Sequence, residues 1–213
     1  MTNPDPAAAA DQLEPLREFI VTVTRIVERA LSEADTVAEV RQALKRLIER
    51  DDWLPHASAQ PHPQHYQQHL LHCDPLERFS VVSFVWGPGQ RTPVHDHEVW
   101  GLIGMLRGAE TSQSFARDAS GVLHAQGAPE RLEPGDVALV SPATGDIHQV
   151  ANAHGDRCSI SIHVYGGNIG AVRRHVFDAQ TGEVKDFISG YSSDVVPNLW
   201  DRSAVVRAEI GGG

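Results

Sequence analysis

The chain has 213 residues, of which 41% are hydrophobic, and a formal net charge of −10. This composition fits one folded domain with a helical extension and excludes a disordered chain or one that spans a membrane. Because an acidic chain repels phosphate backbones, we expect no nucleic-acid partner.

The N-terminal part is predicted to be helical. Apolar residues recur at three- and four-residue steps from Leu13 to Val27, and again from Val37 to Ile48, which is the period of an amphipathic helix. Between them, Ser32 to Asp35 offers helix-capping side chains. We therefore expect an N-terminal helical extension over residues 1–55. The first residues lack the basic and apolar regions of a signal peptide, so we expect a cytoplasmic protein whose Cys73 and Cys158 are reduced thiols.

From about residue 62 the pattern becomes that of strands. The segments HYQQHLLHC and FSVVSFVWG are strand-like, and after Trp86 short segments alternate with Gly and Pro. The segment RRHVFDAQTGEVKDF predicts a hairpin around its Gln-Thr-Gly turn. We predict a mainly β fold with a barrel over residues 56–190. Residues 191–213 give no clear signal and are expected to pack on the barrel or trail from it.

The first candidate for metal binding is a pair of histidines. Five residues separate Gly89 from His95, and one residue separates His95 from His97. On a strand, alternate side chains share a face, so both imidazoles can bind one ion while Asp96 points away. Glu98 also alternates away from the metal and is not expected to be a ligand.

The third candidate ligand is His148, which follows a Pro-Gly-Asp turn, a strand, Pro142 and Gly145. Together the two segments resemble the two cupin motifs, which implies a single cupin barrel of the jelly-roll type. Gly101 stands where the first motif has its Glu. Three neutral imidazoles leave the full charge of a divalent ion uncompensated, so such a site favours an anionic ligand and lowers the pKa of a bound thiol.

A further polar pattern lies on the strand Ser161-Ile-His163-Val-Tyr165. Its period of two places three polar side chains on one face, which must meet water or a polar site. With the three-histidine cupin pattern and Gly101, it resembles the cysteine dioxygenase family over roughly residues 60–190. The resemblance implies Fe(II) held by His95, His97 and His148, a small thiol and O2 as partners, and Ser161, His163 and Tyr165 as the catalytic relay.

The sequence departs from the cysteine-specific enzymes of that family at two positions. Gly101 replaces the cysteine that forms a thioether there, so Tyr165 should be unmodified. Gln68 occupies the place of the arginine that binds the substrate carboxylate there. In the segment GGNIGAVRRH, Arg174 is the best match for a carboxylate-binding arginine, and its neighbour Arg173 is the alternative. This pattern resembles the bacterial 3-mercaptopropionate dioxygenases.

The resemblance implies that the chain converts 3-mercaptopropionate to 3-sulfinopropionate, with Arg174 and Gln68 binding the substrate. The alternatives are an L-cysteine dioxygenase, another cupin enzyme such as an isomerase or a carbon–carbon dioxygenase, and a metal-free or sugar-binding cupin. The oligomeric state is left open.

Overall fold

The computed structural model describes residues 12–192 and 203–211. The helices are α1 (Glu14–Glu28), α2 (Glu33–Ile48), a short 3-10 helix (His56–Ala59) and α3 (Ser203–Gly211). The strands are β1 (Gln67–Cys73), β2 (Ser80–Trp86), β3 (Val94–His95), β4 (Gly101–Arg107), β5 (Glu110–Arg117), β6 (Leu123–Leu132), β7 (Val137–Val140), β8 (His148–Asn152), β9 (Ser159–Tyr165), β10 (Arg174–Phe177) and β11 (Val184–Phe187).

The two N-terminal helices begin where local chemistry favours it. Pro15 lies in the first turn of α1, where its missing N–H costs nothing. Ser32 caps α2, because its Oγ accepts a hydrogen bond of 3.2 Å from the backbone N–H of Asp35. The helix pair and the break between its members are therefore as predicted.

The strands form two antiparallel sheets that make the barrel. One sheet has five strands in the order β1-β2-β9-β4-β7, and the other has six in the order β11-β10-β3-β8-β5-β6. The mainly β cupin fold is confirmed. So is the hairpin, in which Arg174 pairs with Phe187 and Phe177 pairs with Val184.

Strand β9 lies at the centre of the five-stranded sheet, between β2 and β4. Its outer residues Ile160, Ile162 and Val164 belong to one buried cluster with the apolar faces of α1 and α2. The contact is close, since a Cβ added to Gly104 of β4 would lie 3.0 Å from Leu44 Cγ of α2. The helices thus cover the outer face of this sheet, and the residues between them on β9 point into the barrel.

The barrel interior at this point is apolar. A second buried cluster joins both sheets and contains Val82, Phe84, Trp86, Val150, Tyr165 and Ile169. Electrostatic interactions are stronger in such buried surroundings than at the surface.

Part of the C-terminal stretch lies outside the described residues, namely 193–202 and 212–213. Within the described part, α3 is a helix that the sequence did not indicate, and Arg207 Nη2 donates a hydrogen bond of 2.7 Å to the carbonyl of Ile188. Across residues 12–192 and 203–211, every helix is too short or too polar to cross a bilayer.

Candidate metal centre

The three predicted ligands come together inside the barrel. His95 on β3 and His148 on β8 are directly opposite each other in the antiparallel register. His97 lies two residues beyond the end of β3, so it is not itself on the strand, yet its ring centroid is 4.8 Å from that of His95 and 4.9 Å from that of His148. All three side chains are buried, and one ring nitrogen of each lies within 4.8 Å of the others.

The outer ring nitrogen of each histidine is already engaged. His95 Nδ1 lies 3.1 Å from the carbonyl of Pro93, which can only accept, so the proton is on Nδ1. His97 Nδ1 lies 2.9 Å from Asp146 Oδ1, and His148 Nδ1 lies 3.0 Å from Ser112 Oγ. These contacts fix the rings with Nε2 turned to the common centre, as outer contacts of metal-binding histidines usually do.

The inner nitrogens fit a metal ion. His148 Nε2 is buried and has no hydrogen-bond partner among the described residues, an arrangement that costs free energy unless a ligand is bound. Burial lowers the pKa of His148 to about 4, and burial followed by the neighbouring imidazoles lowers the pKa of His95 and His97 well below their usual value. The rings are therefore neutral, which is the form that ligates metal.

The acidic neighbours of the ligands point away from this centre. Asp96 accepts a hydrogen bond of 2.7 Å from the backbone N–H of His175, and its other oxygen lies 2.7 Å from His175 Nδ1. Glu98 is exposed. As the alternation predicted, neither carboxylate joins the three imidazoles.

The three polar residues of β9 form a continuous chain. Ser161 Oγ lies 2.8 Å from His163 Nε2, and His163 Nδ1 lies 2.8 Å from the Tyr165 hydroxyl. The Tyr165 ring stacks on His97 with 5.5 Å between centroids, so the chain ends beside the three histidines. The sequence predicted one polar face on this strand, and in the structure that face points into the barrel.

Because Gly101 has no side chain, the Tyr165 ring can occupy the space beside it. A Cβ at position 101 would lie 2.7 Å from Tyr165 Cδ1 and 2.9 Å from Val140 Cγ2. Neither the Glu of the cupin motif nor a cysteine fits here with Tyr165 in this position. Both cysteines, Cys73 and Cys158, are free thiols.

The two candidate arginines lie in opposite environments. Arg173 is exposed and forms a two-pronged ion pair with Asp186, at 2.9 and 2.8 Å. Arg174 is only 3% exposed, its Nη2 donates to Ser189 Oγ at 2.7 Å, and its Nε is unpartnered among the described residues. Arg173 precedes β10, whereas Arg174 is its first residue, and the side chain that is buried is that of Arg174.

The Arg174 guanidinium is a buried cation that forms no direct ion pair with a described carboxylate, although the charge of Asp96 acts on it. It lies 5.0 Å from the centre of the Phe187 ring. Burial lowers its pKa, and its positive charge in turn acts on Tyr66 and Tyr165, and on His95 and His97 of the triad. An uncompensated buried charge is costly, so this position favours an anionic ligand.

Gln68 faces the same interior. It pairs with Phe84 on β2, and directly opposed residues of an antiparallel pair share a face. Phe84 in turn stacks on His163 with 4.0 Å between ring centroids. The backbone of Gln68 is fixed by Ser192, whose N–H donates to the Gln68 carbonyl at 2.8 Å.

Sequence reasoning missed several residues of this centre. Asp146 receives the backbone N–H groups of His97 and Glu98 at 2.8 and 2.9 Å, besides contacting the His97 ring. Ser112 positions His148, and Trp86 Nε1 donates to Ser161 Oγ at 3.3 Å. Asp146 stands two residues before His148, a spacing that could have suggested it, whereas Ser112 and Trp86 carry no local signal.

Comparison with known proteins gives one family. The family described as cysteine dioxygenase type I matches residues 7–180. Solved structures with similarity include a conserved double-stranded β-helix protein from Klebsiella pneumoniae, with 21% identity over 54% of this chain and 88% of that one, and a TM-score of 0.42. Another is a cupin-like protein from Thermotoga maritima, with 18% identity over 65% of this chain and 90% of that one, and a TM-score of 0.41.

Proposed function

Because the chain belongs to the cysteine dioxygenase type I family, we propose that it is an iron(II) thiol dioxygenase that adds both atoms of O2 to the sulfur of a small carboxylate-bearing thiol. Our preferred substrate is 3-mercaptopropionate, which would become 3-sulfinopropionate. The observation that supports this reaction is the meeting of three neutral imidazoles, the Tyr165 hydroxyl and the unpaired Arg174 cation in one buried space.

His95, His97 and His148 are the residues that would hold the metal. Their donor set is three imidazoles without a carboxylate, so a divalent ion would keep its full charge and attract anionic ligands. When bound there, iron(II) supplies the redox chemistry that joins O2 to a thiolate sulfur.

Arg174 binds and orients the substrate in this proposal. Its guanidinium pairs with the substrate carboxylate, and an ion pair of this kind is stronger in a space that excludes water. Gln68 lies on the interior face of β1 and is proposed to contact the same substrate.

Tyr165 is the proposed hydrogen-bond donor to the reacting groups. Burial raises the pKa of its hydroxyl far above neutral, so it remains protonated. His163 and Ser161 act as positioning residues, because they hold the hydroxyl through successive contacts of 2.8 Å.

The choice of 3-mercaptopropionate over L-cysteine follows from the missing amine partner. The carboxylates that flank the ligands, Asp96 and Asp146, are already hydrogen-bonded to His175 and to His97. An ammonium group placed beside them would lose its hydration without gaining a dedicated acceptor. We also propose a cytoplasmic location, which suits two free cysteines and a thiol substrate.

The decisive experiment is oxygen consumption by protein loaded anaerobically with Fe(II), using 3-mercaptopropionate, L-cysteine and cysteamine as substrates. We expect kcat/KM to be highest for 3-mercaptopropionate and lowest for cysteamine, which leaves Arg174 unpaired. Mass spectrometry of the product should show two added oxygen atoms. A clear preference for L-cysteine would identify the chain as a cysteine dioxygenase instead.

Two further outcomes would replace the proposal altogether. A metal other than iron, with no thiol-dependent oxygen uptake, would favour another cupin enzyme. Failure to retain any metal after anaerobic purification would favour a metal-free or sugar-binding cupin.

A further inference from the structure

A buried carboxyl group lies at the far end of the polar chain on β9. Glu110, the first residue of β5, is 0% exposed, and neither of its carboxyl oxygens has a hydrogen-bond partner among the described residues. The Ser161 hydroxyl and the Trp86 indole N–H lie close enough to lower its pKa, although neither meets the geometry of a hydrogen bond to it. A buried carboxyl without ordinary hydrogen bonds is costly and calls for an explanation.

Glu110 is not placed to bind the metal. It pairs with Asn152 on β8, whereas the ligand His148 pairs with Ser114, four residues farther along β5. At about 3.3 Å per residue, this puts the two backbones about 13 Å apart. The carboxyl instead lies near Ser161, at the end of the β9 chain that is farther from Tyr165.

This chain can hold its protons in two ordered states. In the first state Glu110 is ionised, and the Ser161 hydroxyl, which makes no hydrogen bond to it in the structure, turns to donate to it. His163 Nε2–H then donates to Ser161, and Tyr165 donates to His163 Nδ1. When Glu110 is protonated, every donor reverses, and the Tyr165 hydroxyl is left to donate toward the metal centre. Each group between the ends keeps its charge, because a neutral imidazole can exchange one protonated nitrogen for the other.

A thiol that binds as thiolate must give up a proton at the end of this chain. Taking up that proton converts the first ordered state into the second. The proton enters at Tyr165 Oη, the Tyr165 proton moves to His163 Nδ1, the Nε2 proton moves to Ser161 Oγ, and the Ser161 proton moves to Glu110.

We propose that Glu110 accepts, through Tyr165, His163 and Ser161, the proton that the substrate thiol loses on binding, and that this orients the Tyr165 hydroxyl toward the substrate. The proposal rests on the thiol dioxygenase function proposed above. It makes Glu110 a positioning residue and the store of one proton.

The surroundings of Glu110 leave it as the group that titrates at this end of the chain. In β8 and β6, the residues in register with it are Asn152 and Leu132, neither of which is ionisable. The opposite sheet contributes Trp86 from β2 and the hydroxyl of Ser161 from β9. Farther along β9 are His163, which burial keeps neutral, and Tyr165, whose raised pKa reflects burial first and Glu110 among smaller causes.

The titration range of Glu110 suits this role. Burial is the dominant cause that raises its pKa to about 7, against the lowering by Ser161 and Trp86. The ionised form that can accept a proton is therefore present above about pH 7 and is lost as the pH falls through that value. The negative charge of a thiolate bound at the metal centre also raises the pKa, which favours retention of the proton.

Proton release on thiol binding tests the proposal without turnover. Iron-loaded protein is mixed anaerobically with 3-mercaptopropionate in weak buffer containing a pH indicator. At about pH 8 the wild type should release far less than one proton per thiol bound, whereas Glu110→Gln should release about one, since the amide cannot accept it. At about pH 6, where Glu110 is already protonated, both proteins should release about one proton.

Infrared difference spectra give a second readout. A band of a protonated carboxyl should appear when the thiol binds to the wild type at about pH 8, and should be missing in Glu110→Gln. In the metal-free wild type the same band should titrate near neutral pH. Glu130→Gln, which changes an exposed carboxylate on β6, is the matched control and should behave as the wild type does.

Ser161→Ala interrupts the chain and keeps Glu110, so it should also release about one proton at about pH 8. This second variant tests the proposal even if Glu110→Gln does not fold. Equal proton release by the wild type and the variants at about pH 8, with thiol bound and oxygenated, would overturn the role of Glu110 and leave the dioxygenase function standing. Absence of thiol binding and of oxygen uptake in the wild type would overturn both.

Discussion

The six-stranded sheet carries His95, His148 and Arg174, whereas the five-stranded sheet carries the Ser161-His163-Tyr165 chain. Their outer faces differ as well. Two helices bury the back of the five-stranded sheet, while β6 of the other sheet is exposed along most of its length. The difference indicates that packing against the helices holds the strand that carries the relay, whereas polar contacts hold the histidines on loops and short strands.

The two sheets also use polar groups differently. On the side of the six-stranded sheet, each of the three histidines is fixed by its own contact: His95 by Pro93, His97 by Asp146 and His148 by Ser112. On the five-stranded sheet, one strand supplies three consecutive inward side chains that fix one another. We therefore expect substitutions in the first region to affect metal and substrate binding, and those behind the second to affect stability.

The largest expected effect is that of His148→Ala. It removes the ligand that faces His95 across the β3–β8 pair, and two imidazoles do not fix the coordination of the ion. We expect loss of most bound iron and of all oxygen uptake, measured by metal analysis and an oxygen electrode. His124→Ala, which removes a surface histidine, is the control; a His148→Ala protein with full iron content would contradict the ligand assignment.

Arg174→Ala should have the second-largest effect on kcat/KM, and the size of that effect should depend on the substrate. Removing one partner of a buried charge pair costs about 2–5 kcal/mol, so kcat/KM should fall steeply for 3-mercaptopropionate and L-cysteine and stay nearly constant for cysteamine. Arg173→Ala removes only the exposed pair with Asp186 and is the matched control. An equal loss with all three thiols would mean that Arg174 stabilises the fold and does not bind the carboxylate.

Leu44→Ala tests the helices that cover the five-stranded sheet. Leu44 of α2 is fully buried against Gly104 of β4, and truncation of such a leucine lowers the free energy of unfolding by about 2–5 kcal/mol. Urea unfolding should show this loss, while iron content and kcat/KM of the folded protein stay the same. Val21→Ala, at an exposed position of α1, should change stability by less than about 0.5 kcal/mol. A large drop in kcat/KM of folded Leu44→Ala would show that the helices also control the centre.

What the sequence predicts about this site depends on whether the information is local. The three histidines lie in two motifs with fixed spacing, and strand alternation alone places Ser161, His163 and Tyr165 on one face. The choice between Arg173 and Arg174 is different, because alternation separates them and cannot say which face is inner. Only the pairing of β10 with β3 and β11 decides it.

Glu110 is a residue whose burial the sequence did not predict, for a different reason. At the start of β5, next to a run of polar residues, its sequence context is that of an exposed strand. Its burial results from closure of the barrel, which brings β5 against Trp86 and Ser161 of the other sheet. The periodicity of a single segment cannot predict a contact between two different sheets.

The smallest effect we predict concerns the contact between the β4 start and the relay, where the two regions meet. Gly101 pairs with Tyr165 across β4 and β9, and a methyl group added there would lie 2.7 Å from the Tyr165 ring and 2.9 Å from Val140. Gly101→Ala must therefore shift a ring that is packed on His97, with an overpacking cost of about 1–3 kcal/mol. Because the hydroxyl would then be misplaced, we expect kcat/KM to fall roughly 10- to 100-fold while iron binding is retained.

Thermal unfolding, metal analysis and oxygen uptake together separate this outcome from general unfolding. Gly155→Ala, where an added Cβ meets no atom within 4 Å, is the control. Wild-type kcat/KM in Gly101→Ala would mean that the position of the Tyr165 hydroxyl is not critical, and the relay would then lose its proposed part in the reaction.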